Sequence, residues 1–130
     1  MSMNFRTDQV LEALNADSQF RHAARRWTIE LLIGVGDDRY IFDVRDGLVL
    51  RFDKTEDQFQ SSSARLVGTE EVWRELLEPV PVPFYQDFIG AWFNHGFEIS
   101  GDLRSVFTHY WALLRLLDVM RTINARAEER

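Results

Sequence analysis

The run Trp27-Thr28-Ile29-Glu30-Leu31-Leu32-Ile33-Gly34-Val35 decides the fold class, because in it apolar side chains recur at every second position. Trp27, Ile29, Leu31, Ile33 and Val35 share one face and Thr28, Glu30 and Gly34 the other, which is the period of a half-buried strand. The alternation returns in Tyr40, Phe42 and Val44, and again in Leu48, Leu50 and Phe52. Two antiparallel hairpins follow, with turns at Asp37-Asp38 and around Asp46-Gly47. For the second turn, a two-residue Asp46-Gly47 loop would pair Val44 with Val49 and set Phe42 opposite Arg51. A three-residue loop of Arg45, Asp46 and left-handed Gly47 pairs Val44 with Leu48, Phe42 with Leu50 and Tyr40 with Phe52, and sets Arg39 opposite Asp53. Matching of apolar faces selects the second.

Outward from these strands the period becomes helical. Thr7 or Asp8 can cap a first helix with Val10, Leu11 and Leu14 on one stripe and Asn15 as its stop. Asp17 or Ser18 caps a second, whose apolar side is Phe20, Ala23, Ala24 and Trp27; Arg21, Arg25 and Arg26 cluster near its end, where they complement the helix dipole or meet an anion. After a polar loop over residues 54–61, Ser62 to Val67 reads as a fourth strand with Arg65 outward. Thr69 caps a short helix with Glu70 and Glu71 in its first turn and Val72, Trp73, Leu76 and Leu77 as its stripe, ended by Pro79.

Pro79, Pro81 and Pro83 then lead into Phe84, Tyr85, Phe88, Trp92, Phe93 and Phe97. Burying one such ring is worth roughly 1.5 to 3 kcal/mol, so a core, a ligand or a partner must cover them. Pro83 suits the first turn of a helix and Asn94-His95-Gly96 its end. A strand from Phe97 to Ser100 and an Asp102 cap precede one long closing helix, Leu103 to Ala125. Its apolar residues spread over a wider arc than a sheet contact requires.

The chain of 130 residues, 45% hydrophobic and 28% charged, fits one domain over residues 1–130, with 1–6 and 124–130 as frayed ends. A net charge of −6, with acidic and basic residues interspersed, argues against a dedicated nucleic-acid binder. With no cysteine there is no disulfide framework and no thiolate chemistry. No run reaches the roughly 18 apolar residues of a membrane span, and residues 1–6 lack a leader's apolar core, so the expectation is a cytoplasmic protein. His22, His95 and His109 show no metal-ligand spacing, and no cofactor motif is present. His109 lies two turns after Asp102, which would suit an acid/base pair, although Asp102 also serves as a cap. Nothing else reaches a catalytic signature.

The aromatic surplus is therefore the functional signal. Its preferred reading is an apolar cavity lined by Trp73, Leu77, Phe84, Phe88, Trp92, Phe97, Phe107, Tyr110, Trp111 and Leu114. The alternative is an interaction module, a homodimer or the accessory of a partner enzyme, in which Trp92, Phe93, Trp111 and Leu116 meet a partner. A third reading is a pocket enzyme of the cone-shaped nuclear transport factor type 2 kind using His109 and Asp102.

Three strings carry a family resemblance. They are Arg39-Tyr40-Ile41-Phe42-Asp43-Val44-Arg45-Asp46-Gly47-Leu48-Val49-Leu50, Val67-Gly68-Thr69-Glu70-Glu71-Val72-Trp73-Arg74-Glu75-Leu76-Leu77, and Phe97-Glu98-Ile99-Ser100-Gly101-Asp102. In order and spacing the chain resembles the sterol carrier protein type 2 family from about Trp27 to Met120, most of all its stand-alone bacterial members. The resemblance implies an α+β fold, a five-stranded, largely antiparallel sheet covered by helices, with an apolar tunnel for lipids such as acyl chains or sterols. It implies lipid binding or transfer, no catalytic residues, and a place for an accessory role beside a hydrolase-type enzyme. Arg65, where the family often has an acidic residue, and the segment from Pro79 to Phe93 depart from the pattern near the expected tunnel.

Overall fold

The alternating runs form three consecutive antiparallel strands: β1 (Ile29–Val35), β2 (Asp38–Arg45) and β3 (Leu48–Thr55). β4 (Ala64–Gly68) joins the free side of β1 in parallel, and β5 (Glu98–Gly101) pairs antiparallel with β4, giving the order β3-β2-β1-β4-β5. The sheet is thus five-stranded and mixed, with one parallel pairing among the described residues. The structure, a computed structural model, describes residues 4–57, 60–81 and 86–128.

β1 occupies the centre, and its side chains are buried on both faces rather than one. Ile29, Leu31, Ile33 and Val35 enter the main core, while Leu32 is buried on the far face, opposite Ile41 of β2 and Arg65 of β4. The outer face is thus lightly covered by flanking side chains, and the helices gather on the inner one.

Both hairpin turns differ from the sequence expectation. The first is Gly36-Asp37, not Asp37-Asp38, since Val35 pairs with Asp38 and Gly36 takes φ +59°. The second is the two-residue Asp46-Gly47 loop, with φ +48° and +81°, so Val44 faces Val49. A bulge then leaves Leu50 unpaired and puts Asp43 opposite Arg51, Phe42 opposite Phe52 and Ile41, not Arg39, opposite Asp53. Left-handed conformations at both central residues match the strand twist, and the bulge recovers the ring pairing that the turn alone would lose.

The helices are α1 (Thr7–Ala16), α2 (Ser18–Ala23), α3 (Glu70–Leu76), α4 (Phe88–Asn94), α5 (Leu103–Thr108) and α6 (Tyr110–Glu128). Local chemistry fixes most starts: the side chains of Asp17, Thr69, Asp87 and Asp102 accept from the backbone N–H of Gln19, Val72, Gly90 and Ser105. α1 lacks such a cap; its flanking residue is Arg6 at φ +54°, and Thr7 is already helical. Asn15 continues α1 rather than stopping it, and its amide both donates to Val49 O and accepts from Val49 N at 2.9 Å, tying α1 to β3. The described part of the aromatic helix starts at Phe88 behind Asp87; the expected start at Pro83 lies outside the described residues.

The single closing helix is in fact two. His109 departs from helical geometry between α5 and α6, its ring stacked on Trp27 at 5.3 Å between centroids. Trp27 also donates its indole N–H to Ser105 Oγ at 3.0 Å, so one tryptophan in the connection just before β1 holds the bend. Helix α6 continues through residues 124–128, read from sequence as frayed, and Phe5 lies in the core within 5.0 to 6.5 Å of the rings of Tyr40, Phe52 and Trp73.

Candidate functional site

Of the ten residues expected to line an apolar cavity, four form a closed cluster between the sheet and the helices. Trp73, Leu77, Phe88 and Phe97 are all buried. The Trp73 ring sits 5.8 Å from Phe88 and 5.4 Å from Phe97, and those two stack on each other at 5.5 Å. Trp73 satisfies its indole N–H on Gly34 O at 2.8 Å, which orients the ring under β1. Gly68 makes the fit possible: a Cβ there would come within 2.8 Å of the Phe97 ring. These rings fill the interior with one another.

The remaining residues lie farther out. Trp92 is half-buried and stacks with Phe93 at 5.2 Å and with Phe107 at 5.9 Å, and Phe107 meets Tyr110 at 6.2 Å. Phe93 is 74% exposed and Phe107 39%, so α4 and α5 together present a ladder of rings to solvent. Leu114 is half-buried. Trp111 is 76% exposed and stands over a cleft of about 330 Å³ that it shares with His22, Ala23, Arg25, Thr108 and His109. Phe84 lies outside the described residues.

Polar groups hold this layer in place. Tyr110 Oη accepts from Ile89 N at 2.9 Å at the start of α4, and burial pushes its phenol far above the ordinary tyrosine range. It acts as a neutral hydrogen-bonding anchor. Arg121 donates from Nε to Leu76 O at 2.7 Å and from Nη2 to Gln86 O at 2.8 Å, bridging the two ends of the connection between α3 and α4. Neither role has a local sequence signal, because each partner is more than twenty residues away.

The suggested acid/base pair is divided between two structural duties. Asp102 accepts from Ser105 N at 3.1 Å as the cap of α5, while His109 lies against Trp27 with Nδ1 buried and without a hydrogen-bond partner among the described residues. Among the described residues no group of three or more His, Asp or Glu side chains could hold a metal ion, and no helix is long and apolar enough to cross a membrane.

No family model and no curated protein matches the sequence. Solved structures do match in shape. The crystal structure of a sterol carrier protein 2 superposes with a TM-score of 0.74 at 18% identity, over 88% of this chain and 92% of that one. A conserved hypothetical protein of Thermus thermophilus, described as a candidate sterol carrier protein, gives 0.73 at 18% identity over 95% and 89%. The apo form of sterol carrier protein 2 from Yarrowia lipolytica gives 0.54 at 7% identity over 93% and 96%. Across nearly its whole length, then, this chain has the α+β fold of sterol carrier protein type 2.

Proposed function

We propose that the chain binds a lipid or another apolar small molecule, without transforming it, as a cytoplasmic carrier. The observation that carries this reading is the ladder of Trp92, Phe93, Phe107 and Tyr110, in which Phe93 and Phe107 face solvent while Trp92 and Tyr110 pack against the core. Contiguous rings left open to water mark a surface that something covers, since a fully exposed ring forfeits roughly 1.5 to 3 kcal/mol and Phe93 approaches that limit. The fold, shared with proteins named as sterol carriers, supports an apolar ligand over other occupants. Trp92, Phe107, Tyr110, Trp111 and Leu114 would meet the ligand first. Trp73, Leu77, Phe88 and Phe97 would form the inner wall, parting from one another to admit a chain.

Titration with a neutral fluorescent acyl ester, together with native mass spectrometry of gently purified protein, tests the reading. Saturable probe binding that weakens severalfold in Phe107→Ser is the expected result. No co-purified ligand and no saturable binding would overturn it.

A second reading is favoured by the exposure of Phe93 and Trp111, which is larger than a ligand contact needs: the same surface docks a second copy or a partner enzyme. Sedimentation at low micromolar concentration tests the homodimer, which a strict monomer excludes while leaving the partner enzyme in place.

A further inference from the structure

Phe5 is buried although the residues on either side of it are not. Asn4 and Arg6 face solvent, while the Phe5 ring is 5% exposed and lies between three elements, 5.0 Å from Tyr40 on β2, 6.5 Å from Phe52 on β3 and 5.4 Å from Trp73 on α3. Trp73 in turn meets Phe88 and Phe97. Phe5 is thus the middle link of a row of rings that runs beneath the sheet from β3 to the start of β5.

Its hold on the body of the protein differs from that of the other links. Tyr40 and Phe52 belong to the β2–β3 ladder, and Trp73 stands on a helix capped by Thr69 and donates its indole N–H to Gly34 O at 2.8 Å. Residues 4–6 make no hydrogen bond to the sheet or to α3 among the described residues. Arg6 N donates to Asn4 Oδ1 at 2.9 Å, and Arg6 O accepts from Gln9 N at 3.0 Å and Val10 N at 3.1 Å, all within the segment and the first turn of α1. Arg6 is also held at φ +54°, a conformation that costs energy in a residue with a side chain, and α1 begins there without a side-chain cap. Withdrawing Phe5 therefore breaks no hydrogen bond to the rest of the fold and lets Arg6 leave the left-handed region. What is lost is the burial of a phenyl ring, which another apolar group of similar girth restores.

The place the ring fills suits hydrocarbon. Three rings wall it, and the Trp73 indole N–H beside it is already engaged by Gly34, so that donor is left without need of a polar ligand. We propose that Phe5 is a plug that closes the inner end of the ligand site in the unliganded protein, and that a linear acyl chain takes its place when residues 4–6 swing out. This deepens the carrier reading above and rests on it for the existence of an apolar ligand. A space one ring wide, bounded by rings at 5.0 to 6.5 Å, accepts an unbranched methylene chain, whereas four fused sterol rings would also require Trp73 to move and give up its bond to Gly34.

Titration of the full chain with the neutral fluorescent acyl ester and with the fluorescent sterol dehydroergosterol, in wild type, Phe5→Ala and Phe20→Ala, tests the proposal. A plug lowers apparent affinity by the fraction of molecules in which it is open, so Phe5→Ala is expected to bind the acyl ester about tenfold more tightly than wild type, and the sterol no more than about twofold more tightly. Phe20→Ala removes an equally buried ring on α2, controls for any hole in the core, and should leave the affinity as it is. Wild-type protein carrying 4-fluorophenylalanine in place of Phe5 supplies a readout that no folding defect can mimic: its fluorine resonance should move from a buried to a solvent-exposed shift as the acyl ester saturates. An unmoved fluorine at saturation would overturn the plug and leave the carrier reading standing, as would the absence of a gain in folded Phe5→Ala. An equal gain in Phe20→Ala would trace the effect to a hole in the core and overturn the plug as well. An equal gain for the sterol would overturn the linear chain as the occupant. Acyl ester binding to neither wild type nor Phe5→Ala would overturn the carrier reading and the slot together.

Discussion

Trp73→Phe asks whether the buried rings are a load of core packing or the wall of a space that a ligand normally fills. In the structure the Trp73 ring is fully buried, is ringed by Phe5, Phe88 and Phe97 at 5.4 to 5.8 Å, and donates to Gly34 O at 2.8 Å. Losing the indole N–H removes a hydrogen bond to a strand carbonyl, at a cost of about 1 to 2 kcal/mol. The smaller ring buries on the order of 40 Å² less apolar surface, or about 1 kcal/mol at 25 cal/mol per Å². A residual void on the order of 40 Å³ at about 24 cal/mol per Å³ costs about 1 kcal/mol more. The sum, about 3 to 4 kcal/mol, is a large share of a domain's usual stability of about 5 to 15 kcal/mol. Urea unfolding followed by far-ultraviolet circular dichroism should show the midpoint falling by about 2 M, taking a slope of about 1 to 3 kcal/mol per molar. Trp111→Phe, at a ring 76% exposed, is the matched control and should stay within about 0.5 kcal/mol of wild type. A loss below about 1 kcal/mol for Trp73→Phe in ligand-free protein would refute the packing argument, because only a ring lining empty or ligand-filled space could be trimmed so cheaply.

Gly101 of the edge strand β5 and Gly36 of the β1–β2 turn offer a contrast. Gly101 has φ +90° and a Cβ there would meet Ser63 O at 2.6 Å and Ala64 Cα at 2.7 Å, whereas Gly36 at φ +59° has nothing within 4 Å. Gly101→Ala is expected to cost about 2 to 4 kcal/mol and Gly36→Ala only about 1 kcal/mol by the same urea assay, and similar losses at both sites would contradict the β4–β5 geometry. The Asp17–Arg115 pair, 2.5 Å apart with side chains 14% and 35% exposed, predicts a pH dependence. Desolvation raises the Asp17 carboxyl, but the Arg115 hydrogen bond and charge and the N–H groups of Gln19 and Phe20 outweigh it, leaving the carboxyl below its ordinary value of 3.8. A depressed folded-state value gives stability that is present above the unfolded carboxyl range and is lost as pH falls through the folded one. Arg115→Gln should therefore cost about 1 kcal/mol at pH 7, after solvent screening, with the gap to wild type closing below about pH 4. A gap that stays constant down to about pH 2.5 would show that the charge pair is not its source.

What could be read from the sequence was what neighbours along the chain decide. The three-stranded meander follows from period-two alternation between residues 27 and 52, and the caps at Asp17, Thr69 and Asp102 follow from one polar side chain meeting an N–H two or three residues on. The β2–β3 register was misread because a uniform ladder was assumed. In the structure the local preference of Asp46-Gly47 for a two-residue turn and the distant preference of Phe42 for Phe52 are both met, at the expense of one bulged residue, Leu50. The break at His109 escaped the apolar periodicity because its cause, Trp27, is remote in sequence. Phe5, Asn15, Arg115 and Arg121 were missed for the same reason: each acts on an element far along the chain.

The cavity residues show most clearly how periodicity limits a functional reading. Helical spacing puts an aromatic on the inward stripe, but it does not say whether the inside holds other rings or a ligand. Trp73, Phe88 and Phe97 came from three separate elements and found one another, so the interior rings are accounted for by mutual packing. Phe93, Phe107 and Trp111 sit on helices of the same type and are left to solvent. The surplus that first suggested a ligand therefore belongs to the surface of α4, α5 and the start of α6.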